Sequence, residues 1–367
     1  MNNSIAILGI RGIPAQHGGF ETFAEHFALY LVKRGWNVTV YCQKKGEGSI
    51  CEDDWCGVHR VHIPVNLSGA KGTVLFDWKA AVHAAKRRIP VLTLGYNTAV
   101  FCTIYRLKRI KNFINMDGLE WRRKKWNLPA RTWLYVNEKL GAWLGNHLIA
   151  DHPEIKNRLL RFVSADKITV IPYSSDTVDC ADERYLAPFG LEKNNYVILV
   201  ARLEPENSIL EIVRAYSIKT RNMPLLVLGE YNPGSGVYQK QLADAAGSEV
   251  QFVGAIYNKS VVQSLRYFAR FCIHGHTVGG TNPSLVEALG SGSAVLAHGN
   301  KFNRWVAGAG AHYFSSETEC ARQIELLLRD DDLIAAMRKE SISQFRNNFT
   351  WDKVYPTYEK IVMNALF

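Results

Sequence analysis

The stretch V-G-G-T-N-P-S-L-V-E-A-L-G-S-G-S-A-V-L-A, Val278 to Ala297, decides how the chain is read. A Gly-Gly-Thr-Asn loop opens a short helix, Pro283 to Leu289, with Glu287 on its second turn. Gly290 ends that helix, and the apolar run Ala294–Ala297 is the next strand. Proline suits a first helical turn, where its missing N–H has no partner to lose. The backbone N–H groups of Gly280 to Ser284 are then free to hold an anion, with the helix dipole in support. A carboxylate one to two turns further in reaches a sugar hydroxyl beside that anion. Together these features suggest a nucleotide-diphosphate site. An ordinary strand–loop–helix joint with a solvated glutamate is the competing interpretation.

Working outward, the same strand–helix alternation covers both halves of the chain. In the first half, Ile5–Ile10 is a strand and Thr22–Arg34 a helix with Phe23, Phe27, Leu29, Leu31 and Val32 on one broad face. Gly35 stops it, and Asn37–Cys42 is the second strand. Val91–Leu94, Asn112–Asn115, Leu148–Ala150 and Lys167–Ile171 follow. The second half restarts with strands Tyr196–Ala201, Leu225–Leu228, Val250–Val253, Phe271–Ile273 and Ala294–Ala297, and with helices Ser208–Ser217 and Tyr238–Ala246. Repeated units of this kind imply an α/β chain of doubly wound parallel sheets with helices on both faces. With 367 residues, two domains are expected, 1–175 and 176–349, joined near Pro172–Asp182. The tail 350–367 is expected to be helical and to cross back onto the first domain. Ligands belong in a crevice at the carboxyl ends of the strands.

The composition is 47% hydrophobic, enough for sizeable cores, and no apolar stretch approaches a membrane span. The N-terminus enters a strand without the basic start and small-residue cleavage site of a signal peptide, so a cytoplasmic chain is expected. Seven cysteines with no C-x-x-C pair exclude zinc-ligand spacing and indicate reduced thiols, with Cys51 and Cys56 flanking a loop. The net charge of +10 is uneven: residues 1–175 hold 25 Lys+Arg against 13 Asp+Glu, and residues 176–367 hold 19 against 21. The excess lies in R-L-K-R-I-K, Arg106–Lys111, and W-R-R-K-K-W, Trp121–Trp126, followed by Arg131, Trp133 and Tyr135. Basic residues interleaved with aromatics suit an anionic bilayer surface, a nucleic acid, or a solvated rim around an anionic substrate.

The first strand runs into G-I-R-G-I-P-A-Q-H-G-G-F-E-T-F, Gly9 to Phe23, where Gly18 and Gly19 precede a helix start and let the backbone approach a ligand. The spacing is not G-x-G-x-x-G, which disfavours a dinucleotide. Joined to A-R-L-E-P-E-N, Ala201–Asn207, and to G-G-T-N-P-S-L-V-E-A-L, Gly279–Leu289, this segment resembles retaining glycosyltransferases of the GT4 type. More narrowly it is similar to the bacterial rhamnosyltransferase branch whose N-terminal domain is called DUF1972. The resemblance implies the GT-B architecture, two Rossmann-like domains facing an interdomain cleft, with the acceptor mainly on the first and the nucleotide sugar mainly on the second. It assigns Gly18 and Gly19 to the donor's phosphates and Arg202 to the diphosphate, for which a bidentate guanidinium is suited. Asn207 stands where the wider family has a lysine. Glu287 matches the second glutamate of an E-x7-E motif, expected on the ribose. The first glutamate's place is taken by Gly279, so its role passes to the backbone of Gly280, Thr281 and Asn282.

In the first half, N-M-D-G-L-E-W-R-R-K-K-W puts Asp117 and Glu120 just after a strand, Asp151 follows Leu148–Ala150, and Tyr173 follows Lys167–Ile171. Groups at such strand ends hydrogen-bond sugar hydroxyls or accept a proton, so Asp117, Asp151 and Tyr173 are the candidate catalytic residues. Glu120, Trp121, Arg122, Arg123, Lys124 and Lys125 are assigned to the acceptor or a membrane surface. No cofactor and no metal are expected. The resemblance favours a reaction that moves L-rhamnose from dTDP-L-rhamnose to a glycan or polyprenyl-diphosphate-linked acceptor of a bacterial surface polysaccharide. A place at the inner face of the cell membrane is expected with it. A UDP- or GDP-sugar is the alternative donor. A nucleic-acid-binding protein is the alternative of another class, and it leaves the second-half phosphate loop unexplained.

Overall fold

The computed structural model describes residues 3–16, 18–123, 125–234 and 236–366. The chain divides into two compact units, Met1–Pro172 with Asp352–Phe367, and Tyr173–Trp351.

The first unit holds strands β1 (Ser4–Leu8), β2 (Asn37–Lys45), β3 (Cys51–Trp55), β4 (Val58–Val65), β5 (Val91–Leu94), β6 (Asn112–Asn115), β7 (His147–Ala150) and β8 (Ile168–Val170). They form one sheet in the order β3-β4-β2-β1-β5-β6-β7-β8. Every neighbouring pair is parallel except the β3–β4 hairpin. β1 ends two residues before the expected Ile10 because Gly9 turns to φ +88, where an added Cβ would lie 2.1 Å from the carbonyl oxygen of Leu94. The helix Gly19–Lys33 buries Phe23, Ala24, Phe27, Ala28 and Leu31. Two small alanines thus take the core positions expected of Leu29 and Val32. Gly35 follows its end at φ +82. The helix Trp351–Leu366 lays Tyr358 on Phe23 and Phe27, with ring centroids 4.7 and 5.5 Å away.

The segment between Cys51 and Cys56 is not a loop but the exposed edge strand β3, C-E-D-D-W. It has no apolar alternation. Its register is held by cross-strand pairs instead: Asp53 faces Arg60 through two hydrogen bonds of 2.7 Å, and Asp54 faces His59 at 3.2 Å. Charged edges also discourage pairing with other chains. Cys51 and Cys56 are free and exposed.

The second unit holds β9 (Val197–Val200), β10 (Leu225–Leu228), β11 (Val250–Gly254), β12 (Phe271–His274), β13 (Val295–His298) and β14 (His312–Phe314) in the order β11-β10-β9-β12-β13-β14, all parallel. Alternate residues feed two cores. Val197, Leu199, Leu225, Val227, Phe271 and Ile273 pack on one face, while Ile198, Leu226, Leu228, Cys272 and Val295 pack on the other. Strands buried on both faces read as continuous apolar runs. The strand order reverses between β9 and β12, and the crevice outside the carboxyl ends there is where open α/β sheets bind ligands. No helix among the described residues is long and apolar enough to cross a membrane.

Candidate functional site

At the β9/β12 reversal, two loops are tied together. Behind β9, the turn Pro205–Asn207 ends at Ser208, which has φ +49. Behind β12, Gly275 lies so near that an added Cβ would stand 2.1 Å from the carbonyl oxygen of Asn207. Thr277 donates both its N–H and its hydroxyl to the carbonyl of Glu206, at 2.9 and 2.8 Å. The amide of buried Asn207 joins the two loops. Its Nδ2 donates to the carbonyl of Arg202 at 2.7 Å, and its Oδ1 lies 2.6 Å from Nδ1 of His276. Asn207 therefore shapes the loop that carries Arg202. The Arg202 side chain itself is 57% exposed, with Glu204 3.9 Å away.

The helix Pro283–Gly290 faces this joint. Asn282 caps it, its Oδ1 accepting from the N–H of Ser284 at 3.0 Å. The expected anion cradle is thus narrower by one donor, because Ser284 is already satisfied and Pro283 has no N–H to give. The backbone of Gly280, at φ +114, Thr281 and Asn282 leads into the helix. Glu287 and Ser284, one turn apart, are both held by Arg266, whose Nη1 meets Glu287 Oε2 at 2.5 Å and whose Nη2 donates to Ser284 Oγ at 2.9 Å. Arg266 is 3% exposed and Glu287 40%. One carboxylate oxygen thus anchors Glu287 while its side chain stays open to a ligand. At Gly279 an added Cβ would stand 2.3 Å from Cζ of Phe302, so the ring fills the space that a side chain there would need.

Three histidines missed in the sequence reading stand at the same strand ends: His274 closes β12, His276 follows it, and His298 closes β13. Burial pushes His274 well below its ordinary pKa, and the charges of His276, Arg266 and His298 add to that. Burial also lowers His298. Neutral imidazoles can each donate one hydrogen bond and accept another. Their signal was legible in the strand-end pairs F-C-I-H-G-H and V-L-A-H. Arg266 gave no such signal, because a basic residue on an amphipathic helix reads as surface. Tyr173 is the first residue of this unit, half-buried with its ring 5.7 Å from that of Trp351. Burial first, then the carboxylates of Glu287 and Asp176, raise its pKa far above the ordinary phenol range. Tyr173 is thus a neutral phenol that hydrogen-bonds rather than a base.

In the first unit, Gly18 precedes and Gly19 begins the helix Gly19–Lys33. The carboxylates of this helix hold the loop that precedes it. Buried Glu21 accepts the N–H groups of Arg11 and Gln16, at 3.3 Å each, and Glu25 accepts that of Ala15 at 2.5 Å. Asp117 adopts φ +47, two residues past β6, and its N–H donates to Asn115 Oδ1 at 2.9 Å. Non-glycine residues held in this region carry strain that clusters at functional sites. Asp151 follows β7 and is buried near Tyr358, whose hydroxyl accepts from Asn115 Nδ2 at 2.7 Å.

Glu120 is buried and paired with Arg123 at 2.6 Å. Trp121 packs inward, edge-on to Tyr135 at 5.4 Å with the Arg158 guanidinium 4.9 Å from its ring. Arg122 and Lys125 are exposed, and Lys124 lies outside the described residues. The exposed apolar groups of this region are Leu128, Trp133, Val136 and Trp143, on the helix Leu128–Leu144. Among the described residues no group of three or more His, Cys, Asp or Glu side chains is arranged to hold a metal.

The sequence model of a family described as "Domain of unknown function (DUF1972)" matches residues 2–176. No curated protein matches the chain significantly. Among solved structures, a sucrose-phosphate synthase from Thermosynechococcus elongatus superposes with a TM-score of 0.82 at 17% identity, over 100% of this chain and 99% of that one. The Anabaena protein HepE, in complex with UDP and glucose, does so with a TM-score of 0.78 at 15% identity, over 99% and 100%. A UDP-forming trehalose-phosphate synthase from Burkholderia xenovorans gives 0.76 at 11% identity, over 100% of both chains. The chain has the fold of these GT-B glycosyltransferases.

Proposed function

We propose that this chain is a glycosyltransferase that takes a sugar from a nucleotide diphosphate held on the second unit and passes it to an acceptor held on the first. The observation that carries this reading is the β9/β12 strand-end arrangement. Exposed Arg202, the Gly280–Asn282 backbone at a helix start and Arg266-anchored Glu287 supply, in that order, a diphosphate partner, an anion cradle and a ribose acceptor. Three similar folds come from proteins whose names specify UDP or a sugar phosphate product, which supports a nucleotide-sugar donor.

Retention of configuration follows if the leaving diphosphate itself takes the acceptor's proton on the face it departs from. The protein then supplies orientation and charge stabilisation, without a metal. Asp117 and Asp151 serve the acceptor, and Tyr173 donates a hydrogen bond at the reacting centre. The three-motif resemblance favours dTDP-L-rhamnose as donor, with UDP- and GDP-sugars as alternatives. It also favours a glycan or polyprenyl-diphosphate-linked acceptor at the inner face of a bacterial membrane. Exposed Leu128, Trp133, Val136 and Trp143 beside exposed Arg122 and Lys125 support that last placement.

The test is calorimetry with dTDP, UDP and GDP, followed by release of free nucleotide from a panel of nucleotide sugars in the presence of a membrane extract. Binding of one nucleotide and its release from the matching sugar are expected. A protein that binds none of the three nucleotides is not a glycosyltransferase of this kind.

A further inference from the structure

The first unit contains a cavity of about 620 Å³ on the carboxyl side of β1, β2 and β4, which none of the residues assigned above lines. Arg11, Lys45 and Arg60 reach it from three different segments, and Ser68 and Gly69 bring to it the start of the helix Gly69–Arg87. Arg60 is neutralised by Asp53, its partner at 2.7 Å. Arg11 and Lys45 are exposed, and neither side chain has an acidic partner among the described residues. The helix is 19 residues long, carries no acid in its first turn, and receives no side-chain cap from Ser68. Its first N–H groups therefore keep their donor capacity and their share of positive potential. Lys45 is brought beside this helix start because it pairs in register with Val65, three residues before Ser68. Glu21 also lines the cavity, with its carboxylate turned onto the N–H groups of Arg11 and Gln16.

We propose that this cavity binds the oxyanion substituent, phosphate or carboxylate, of a sugar ligand, and that in the proposed reaction it selects an acceptor carrying such a group. Two unpaired cations and an uncapped helix start converge on one cavity of sugar size. A neutral sugar would leave those charges unanswered, whereas an oxyanion meets all three. The acceptor role rests on the glycosyltransferase reading. The binding claim stands apart from it and is tested apart.

The experiment titrates the full chain with inorganic phosphate, glucose 6-phosphate, glucuronate and glucose, with UDP and dTDP as references for the second unit. Inorganic phosphate and at least one of the two charged sugars should bind at millimolar concentrations, and glucose more weakly. Arg11→Gln with Lys45→Gln should weaken the anions by at least about tenfold, since the loss of even one of the two charge-assisted hydrogen bonds does as much. Both side chains are exposed, so folding should survive. Ser68→Asp places a carboxylate on the same amides. It should abolish anion binding while raising the melting temperature, a combination that structural damage does not produce. Nucleotide affinity should be unchanged in every variant. Anions that bind no better than glucose to the wild type, or equally well to both variants, would overturn the proposal. Loss of nucleotide binding with anion binding intact would overturn the glycosyltransferase reading instead.

Discussion

Gly279 and Phe302 exclude a side chain where the wider glycosyltransferase pattern has a glutamate: a Cβ on residue 279 would lie 2.3 Å from the ring's Cζ. Restoring the glutamate alone should not restore its role. Gly279→Glu must displace a ring that is only 8% exposed, costing about 1–3 kcal/mol as overpacking does. Trimming the ring with Phe302→Ala should rescue the variant, and a double-mutant cycle by chemical denaturation measures the coupling. Additive effects of the two substitutions would show that ring and glycine do not compete for this space.

Arg202 and Glu287, both proposed to serve the donor, should separate by stability. Arg202 is 57% exposed, so Arg202→Ala should lower dTDP or UDP affinity by about 1.5–3 kcal/mol with no change in melting temperature. Glu287→Ala instead leaves the buried guanidinium of Arg266 with Ser284 alone and should destabilise the fold by about 1–3 kcal/mol. Glu287→Gln retains an acceptor for Arg266 and is the better probe of ribose binding. Calorimetry beside thermal unfolding gives both readouts. Unchanged nucleotide affinity in Arg202→Ala and Glu287→Gln would remove these residues from the donor site.

What the sequence disclosed and what it hid follow from burial. β5, β6 and β10 have the expected boundaries, Val91–Leu94, Asn112–Asn115 and Leu225–Leu228. β10, L-L-V-L, announces itself as the unbroken run of a strand covered on both faces, while β5 and β6 are apolar at their centres or ends around Thr93, Asn112 and Asn115. β3 was invisible because an exposed edge strand held by Asp53–Arg60 and Asp54–His59 pairs has no hydrophobic pattern to read. The helix Gly69–Arg87 was equally hard to see, since beside Phe76 it buries only the small Gly72, Ala80, Ala81, Ala84 and Ala85. In the candidate site, Glu287 could be named from its loop–helix pattern and Arg202 from the family resemblance. His274, His276 and His298 were legible as strand-end residues, whereas Arg266 emerges only in the fold, because its partners Ser284 and Glu287 lie on another helix.

The C-terminal helix should impart an acid sensitivity. Burial favours the neutral form of Glu359, but hydrogen bonds from Arg34, Tyr30 and Trp36 outweigh it and hold the carboxyl below its ordinary pKa. A carboxylate with a depressed folded pKa stabilises fully above its unfolded value, and that contribution is lost as pH falls through the folded one. Glu359→Ala also leaves the indole N–H of buried Trp36 without its acceptor, for about 1–3 kcal/mol. Urea denaturation at neutral pH should show this loss, and the gap between wild type and variant should narrow below about pH 4. A gap that stays constant down to the lowest pH at which the fold persists would show that the contribution is packing, not charge.

Asp117, Asp151 and Tyr173 should be needed for turnover and not for nucleotide binding. Tyr173→Phe removes a hydroxyl that stays neutral across the working range, so its loss should lower kcat without shifting the pH profile. Asp151→Asn and Asp117→Asn should lower kcat and, if either carboxylate accepts a proton, should also flatten the acid limb of the profile. Activity within about twofold of wild type in all three variants would return these residues to structural roles.

The basic aromatic region should bind anionic membranes through a different set of aromatics from those that the sequence run suggests. Trp121 is committed to Tyr135 and Arg158, so its replacement should affect folding more than membrane affinity. Trp133 and Trp143 are 42% and 54% exposed, and Leu128 and Val136 lie on the same helix. Such residues insert at headgroup level while nearby cations meet the surface charge. Replacing Arg122, Lys124 and Lys125 by Gln spares the Glu120–Arg123 pair. At about 1 kcal/mol per cation it should weaken binding to phosphatidylserine vesicles by about a hundredfold. Trp133→Ser with Trp143→Ser should weaken it further, and that second loss should persist at high salt, where the first is screened. Nucleotide affinity should be unaffected in both sets, because Arg202 and Glu287, the side chains proposed to hold the donor, belong to the other unit. Wild-type protein that ignores anionic vesicles at low salt would leave this surface as a solvated rim beside a soluble acceptor.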